Sequence, residues 1–279
     1  MKTAHLREGI MQAVFTACAC ISILAVVLIC VFLFANGLPT IGKIGPLKFL
    51  LGTTWKPGND IYGILPMIVG SLYITAGAIL FGVPTGILTA LYLSRFASRP
   101  AAKILNPAVE LVAGIPSVVY GFFGLVVIVP VLGSSILTAS LLLGIMILPT
   151  IITVAKSSLD AVPQPYYEGA LALGATHERS VFKILFPAAR SGVLAGVVLG
   201  IGRAIGETMA VMMVAGNQPR ITGNLLKGIR TLTTNIVLEM GYATDLHRKV
   251  LIATALVLFV FILLLNLSFS ALKRRSESV

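Results

Sequence analysis

Charge is scarce in this chain. Of 279 residues only 11% are Asp, Glu, Lys or Arg, against about a quarter in soluble domains, too little to clothe a water-soluble globule. Carboxylates are scarcer still, 10 against 21 lysines and arginines, for a formal net charge of +11. The three cysteines, Cys18, Cys20 and Cys30, share one apolar run. Cys18 and Cys20 stand two apart and point to different helix faces, so all three read as inert apolar filler rather than a disulfide or metal framework. His5, His177 and His247 fall in loops or at the ends of apolar runs and read as solvated. With no HExxH, no GxSxG and no acidic pair spaced for a metal, a membrane-embedded enzyme lacks its nucleophile, base or ligands. The chain also lacks a G-x-x-x-x-G-K-[ST] loop, so it cannot hydrolyse ATP itself. No basic run interleaved with aromatics occurs in a polar segment, which sets nucleic acid aside as a partner. The positive charge is left to membrane topology and anionic headgroups.

Apolar residues are abundant, 57% of the chain, with a mean hydropathy of +0.98. Uncharged runs of 18 or more such residues read as membrane helices, because about 20 residues cross the hydrocarbon core and backbone amides there must bond internally. The fold class is therefore an all-α integral membrane protein with six spans. The first two lie near Ile10 to Ala35 and Ile64 to Leu93. The charge-free stretch from Leu111 to Ala155 is split into a third and fourth by Pro130 and Gly133-Ser134-Ser135, and Ser191 to Ala215 and Val250 to Leu272 complete the set. The first apolar run is too long for a secretory signal and reads as an uncleaved helix. Three regions follow: residues 1–63 with the first helix and a long outer loop, a core over 64–272, and a basic tail over 273–279.

Six spans put Lys2, Arg7, Arg95, Arg99, Lys103, Lys156, Arg179, Lys183, Arg190, Lys273, Arg274 and Arg275 on one side. Lys43, Lys48, Lys56, Arg220, Lys227, Arg230, Arg248 and Lys249 fall on the other, twelve against eight. The positive-inside rule makes the richer side cytoplasmic, with both termini there.

Three polar segments connect the spans. The outer loop from Asn36 to Gly63 holds the only tryptophan, Trp55, expected as a headgroup anchor. The outer loop from Gly216 to Leu246 is expected to contain a short helix around Leu225 to Ile229. The inner segment from Lys156 to Arg190 reads as a helix over Tyr166 to Leu173 with Glu168 in its first turn, favoured by the helix dipole. Gly174 then makes a left-handed turn, Thr176 caps a second short helix carrying Glu178, and Pro187 ends it. Pro84, Pro116 and Pro149 are expected to kink their spans. Gly192/Gly196 and Gly202/Gly206 fit the small-xxx-small pattern of close helix packing. Glu110 reads as a solvated charge at the start of the third span.

Glu168-Gly169-Ala170, then Gly174, then Ile184-Leu185-Phe186-Pro187 resembles the EAA loop of ABC-importer permeases, with Gly169 and Phe186 as departures and every spacing kept. The resemblance implies the type I importer permease fold. It also implies that Glu168, Gly169, Ala170 and Gly174 belong to a loop docking on a separate ATPase subunit. "GIGRAIGETMAVMMVAGN" (200–217) and "AGIPSVVYGFFGL" (113–125) resemble segments of the PstC family of phosphate-importer permeases. What that implies is half of a pore for inorganic phosphate in a prokaryotic inner membrane, with no cofactor of its own. The implied partners are a PstA-like second permease, a cytoplasmic PstB-like ATPase dimer and an extracytoplasmic PstS-like phosphate-binding protein. Sulfate, molybdate or phosphonate remain open as substrates. An ion-coupled secondary transporter is disfavoured, because no internal repeat is visible and such a mechanism has no use for an EAA-like loop.

Arg203 and Glu207 are the only ionisable residues between Ser191 and Pro219. In lipid a charge at a helix centre costs about 2.5–3.5 kcal/mol, so such residues face a bundle interior or a wet path. On one continuous helix the two would share a face. They would then form either an ion pair, with each other or across to the partner permease, that locks the bundle, or a substrate pathway in which Arg203 grips phosphate oxygens while Glu207 orients it and tempers the grip.

Overall fold

An apolar chain with no water at its backbone closes its own hydrogen bonds, and the computed structural model, which describes residues 2–277, is helical almost throughout. Four helices are long and apolar enough to cross a membrane, and up to six spans result if each of two sharply bent helix pairs counts as one.

The first helix, α1 (Lys2–Ile44), runs well past Ala35. The polar side chains expected to start a loop instead bond back one turn, Asn36 Nδ2 to the Phe32 carbonyl and Thr40 Oγ1 to that of Asn36, both at 2.8 Å. α1 is exposed along its apolar window and packs on the last helix, where Phe34 meets Phe259 edge-on. The rest of the first outer loop is also folded. Gly45, at φ 95°, turns the chain into α2 (Pro46–Leu51). A small antiparallel hairpin follows, β1 (Trp55–Lys56) with β2 (Ile61–Tyr62). Phe49, Trp55, Tyr62 and Ile64 are buried against Leu232, Val250 and Leu251, so this segment forms a cap.

α3 (Leu65–Leu91) continues through a π turn to Phe96. α4 (Arg99–Gly114) and α5 (Ser117–Phe123) are separated at Ile115-Pro116, and a second π turn leads from α5 to α6 (Val129–Leu132). The bend is 95°, so Pro116 breaks the third span rather than kinking it, and the Tyr120 hydroxyl braces the corner by donating to the Val112 carbonyl at 2.8 Å. Gly133 at φ 72° makes the expected turn. α7 (Ile136–Asp160) follows, capped by Ser135 Oγ, which accepts from the Thr138 amide. α3 and α7 run on through Pro84 and Pro149 without a break. Glu110 is exposed, as expected.

α8 (Gln164–Ala172) and α9 (His177–Ser180) form a helical hairpin, in the segment expected to lie inside, and a π turn joins α9 to α10 (Phe186–Ala188). Pro187 lies inside α10, and the chain turns through 70° at Ala189 instead. α11 (Arg190–Gly206) is followed by α12 (Met209–Val214), α13 (Leu232–Met240) and α14 (Asp245–Glu277).

The core is α7, with α3 on one side and α11 on the other. Glycines let the helices approach closely: a Cβ at Gly192 would sit 2.2 Å from Ser158 Oγ, and one at Gly200 2.8 Å from Ile151. Gly196 belongs to the same row, but Gly202 and Gly206 have nothing within 4 Å of a Cβ position. The expected packing is thus found for Gly192/Gly196, not for Gly202/Gly206. Residues 225–229 form no helix. The carbonyls of Leu225 and Lys227 accept from the amides of Leu137 and Ile136, the first amides of α7, which have no partner within their own helix. The helix of this outer segment comes later, as α13, opened by a capping box between Thr231 and Thr234.

Candidate functional site

Two places gather the residues singled out in the sequence, and a third was not foreseen. The first is the inner hairpin. Pro163 precedes α8, and Glu168 stands in the second turn of that helix rather than the first, so the helix dipole does not explain it. Gly174 takes φ 83°, a left-handed conformation natural to glycine. There its amide bonds the Leu171 carbonyl at 2.9 Å, and Ala175 bonds that of Ala170 at 3.1 Å, closing the end of α8. Thr176 Oγ1 accepts from the Arg179 amide, capping α9 as expected. The Glu178 carboxyl is held below its usual range by its own backbone amide and then by the Thr176 hydroxyl. His177 is not a free surface residue: Nδ1 and the Tyr167 hydroxyl lie 2.8 Å apart, and its ring meets Phe96 edge-on at 4.8 Å. The hairpin base packs on Leu159, Val162, Val181 and Leu185. Its tip is unpartnered: Leu173 is 91% exposed, and Glu168 and Gly169 face outward with Ala170 half-buried. The structure thus brings Glu168, Gly169, Ala170 and Gly174 onto one protrusion.

The second place is a break in the fifth span. α11 stops at Gly206, Glu207 is extended at φ −68°, ψ 129°, and α12 starts at Met209. Arg203 and Glu207 therefore do not share a helix face and form no ion pair with each other. Glycine favours the break because it costs helix about 1 kcal/mol relative to alanine, and Glu207 Oε1 accepts from the Ala210 amide at 3.2 Å, capping α12. Arg203 donates from Nη1 to the neutral Thr150 hydroxyl at 3.3 Å. The Glu207 carbonyl, freed where α11 ends, accepts from Thr233 Oγ1 at 3.1 Å. A Cβ added at Gly202 or Gly206 would meet nothing within 4 Å. Neither Thr150 nor Thr233 was signalled by the sequence: Thr150 stands among apolar residues, and Thr233 is one of three threonines in Thr231-Leu232-Thr233-Thr234.

The third place is buried under the cap formed by α2 and the hairpin. Glu239, 5% exposed, accepts from Trp55 Nε1 at 2.9 and 3.0 Å, from Arg230 Nη1 at 2.5 Å and from His247 Nε2 at 2.8 Å. Trp55 is 6% exposed, so it is an interior donor and not a headgroup anchor, and His247 is likewise no solvated residue. Three donors allow a carboxylate to stay charged away from water. Arg230 also donates to the Asn217 carbonyl and to Asn235 Oδ1. The clue in the sequence was a solitary acid in "TNIVLEM", with Asn235 and Glu239 four apart on α13. Beside the cluster opens a cavity of about 530 Å³ whose walls include Asp60, Tyr62, Tyr242 and Asp245. Burial, then the bond to Asp60, pushes the Tyr62 phenol up to about 12. Burial, then Glu239, raises that of Tyr242. Among the described residues no cluster of His, Cys, Asp and Glu is fit to hold a metal, and the three cysteines are free. The side chain of His5 lies outside the described residues.

The model of the family "Binding-protein-dependent transport system inner membrane component" matches residues 82–278. The chain is 39% identical to the probable ABC transporter permease protein YqgH of Bacillus subtilis, covering 91% of this chain and 88% of that protein. It is 34% identical to the phosphate transport system permease protein PstC of Mesorhizobium japonicum, covering 93% and 88%. Among solved structures, a bacterial ABC transporter involved in importing the acidic polysaccharide alginate superposes with a TM-score of 0.62, covering 93% of this chain and 95% of that one at 16% identity. At that identity the shared property is the fold, that of a type I importer permease.

Proposed function

From the premise that the chain belongs to the family of binding-protein-dependent transport system inner membrane components, we propose that it forms half of the pathway of an ATP-driven importer for inorganic phosphate. It is the permease component of an ABC importer and a multi-pass membrane protein. The choice of phosphate is supported by the similarity to PstC, which extends over nine-tenths of the chain. One observation at the site supports it: among the described residues, Arg203, half-buried at a broken helix, donates to a neutral hydroxyl and to no carboxylate. Its planar cationic fork is thus left for an oxyanion. Glu207 lies one turn away and tempers the grip, as release requires.

The partners in this reading are a PstA-like permease completing the pore, a PstB-like ATPase dimer and a PstS-like binding protein outside. The hairpin of Glu168, Gly169, Ala170 and Gly174 docks on the ATPase, with exposed Leu173 at its tip. Both termini lie in the cytoplasm of a prokaryotic cell, and six spans are completed by counting each bent pair once. The test is uptake by proteoliposomes holding the four components with ATP inside. Labelled phosphate should accumulate and resist competition by sulfate, molybdate or phosphonate. Uptake of one of those anions in place of phosphate would overturn the substrate assignment.

A further inference from the structure

The helix α13 spans nine residues, about 13 Å, and is fastened at both ends to different parts of the molecule. At its N-terminus the Leu232 amide donates to Ser71 Oγ of α3 at 3.0 Å. Thr233 Oγ1 donates to the Glu207 carbonyl at the break in the fifth span. At the far end Glu239 holds Trp55 of the outer hairpin, Arg230 of the preceding loop and His247 of α14. Thr233, Thr234, Asn235 and Glu239 are all buried, between 0% and 6% exposed. A buried carboxylate that loses one donor is left under-bonded, so displacement at this end is resisted strongly. A hydroxyl at the other end seizes a carbonyl that the broken helix leaves without an internal partner.

We propose that α13 is a strut that sets the position of the Glu207 segment from the outer cap, with Thr233 and Glu239 as positioning residues that touch no substrate. In the orientation of the transport reading, the cavity beside Glu239 opens the far end of the strut to the outer face. A shift of the cap is delivered along a rigid helical segment to the chain one turn beyond Arg203. The link is one of physical contact, and its proof is coupling between the two ends. It rests on the transport reading above only in needing uptake as its readout.

The experiment is a double-mutant cycle of Thr233→Val and Glu239→Gln in the complete four-component complex. Thr233→Val should lower the maximal uptake rate about fivefold, the effect of one neutral hydrogen bond, and Glu239→Gln, which removes the charge that three donors share, should lower it further. Assembly and the apparent KM for phosphate-loaded binding protein should stay unchanged. The double variant should be no slower than the slower single, and Thr233→Ser should restore the rate. Independent losses, the two single factors multiplying in the double variant, or normal uptake by Thr233→Val, would overturn the strut. Where Glu239→Gln fails to assemble, Trp55→Phe removes one donor from the same carboxylate and completes the cycle. If the wild-type complex carries sulfate rather than phosphate, the cycle is run on sulfate, so the substrate reading and the strut fail separately.

Discussion

Trp55 donates its indole N–H to the carboxylate of Glu239, 184 residues further along the chain. The contact places the sole tryptophan in the interior, and its emission therefore reports one site. Fluorescence of the purified protein should be insensitive to iodide and aqueous acrylamide. Glu239→Gln should alter it by weakening the bond to the indole. Ready quenching in the wild type would place Trp55 at the surface and contradict the buried network.

Gly174 isolates backbone conformation from crowding, since a Cβ there would meet nothing within 4 Å while φ is 83°. Gly174→Val should cost roughly 1–2 kcal/mol in the hairpin through the left-handed penalty alone. Transport-linked ATP hydrolysis should fall, with membrane insertion normal. Gly174→Asn, which tolerates that conformation, should retain most of the activity. Equal coupling in the valine variant would remove the hairpin from the ATPase interface.

Topology is tested at Asn59, on the outer hairpin, and at Ser276. In a background lacking Cys18, Cys20 and Cys30, single cysteines at the two positions should label oppositely with an impermeant reagent, Asn59 from outside. Outside labelling of Ser276 would reverse the orientation drawn from twelve basic residues against eight.

Tyr62 gives a pH signature. Its phenol is raised from 10.0 to about 12, by burial first and then by Asp60. A raised folded-state value means that the neutral form stabilises the cap. That contribution is complete below pH 10 and is lost as pH climbs through about 12. An ultraviolet titration of tyrosinate should show a late step near pH 12, and Tyr62→Phe should abolish that step while leaving the raised phenol of Tyr242. Its persistence in Tyr62→Phe would assign the late step to another tyrosine.

The long helices and the inner hairpin were legible because hydropathy, glycine and capping residues act locally. Gly174, Thr176 and the turn at Gly133 stand where the sequence put them. What escaped depended on partners distant in the chain. Trp55 looked like a headgroup anchor and His247 looked solvated because Glu239, the residue that buries them, is a solitary acid, far from Trp55 in the sequence. Leu225 to Ile229 looked helical, but their carbonyls cap α7. Arg203 and Glu207 were read as one helical face because an apolar run does not announce a break at Gly-Glu-Thr. The pair that spacing suggested is replaced by Arg203 with Thr150 and Glu207 with Ala210.

The most direct test is phosphate uptake by the assembled complex carrying Arg203→Gln, measured beside Thr150→Val and the charge-swapped Arg203→Glu with Glu207→Arg. Loss of a charge-assisted contact is expected to lower uptake roughly 10- to 100-fold for Arg203→Gln, with ATPase binding and membrane insertion intact. Thr150→Val should cost far less. The swap should not recover transport, because the two residues hold separate partners. Undiminished uptake by Arg203→Gln, or transport restored by the swap, would contradict an arginine that faces the substrate.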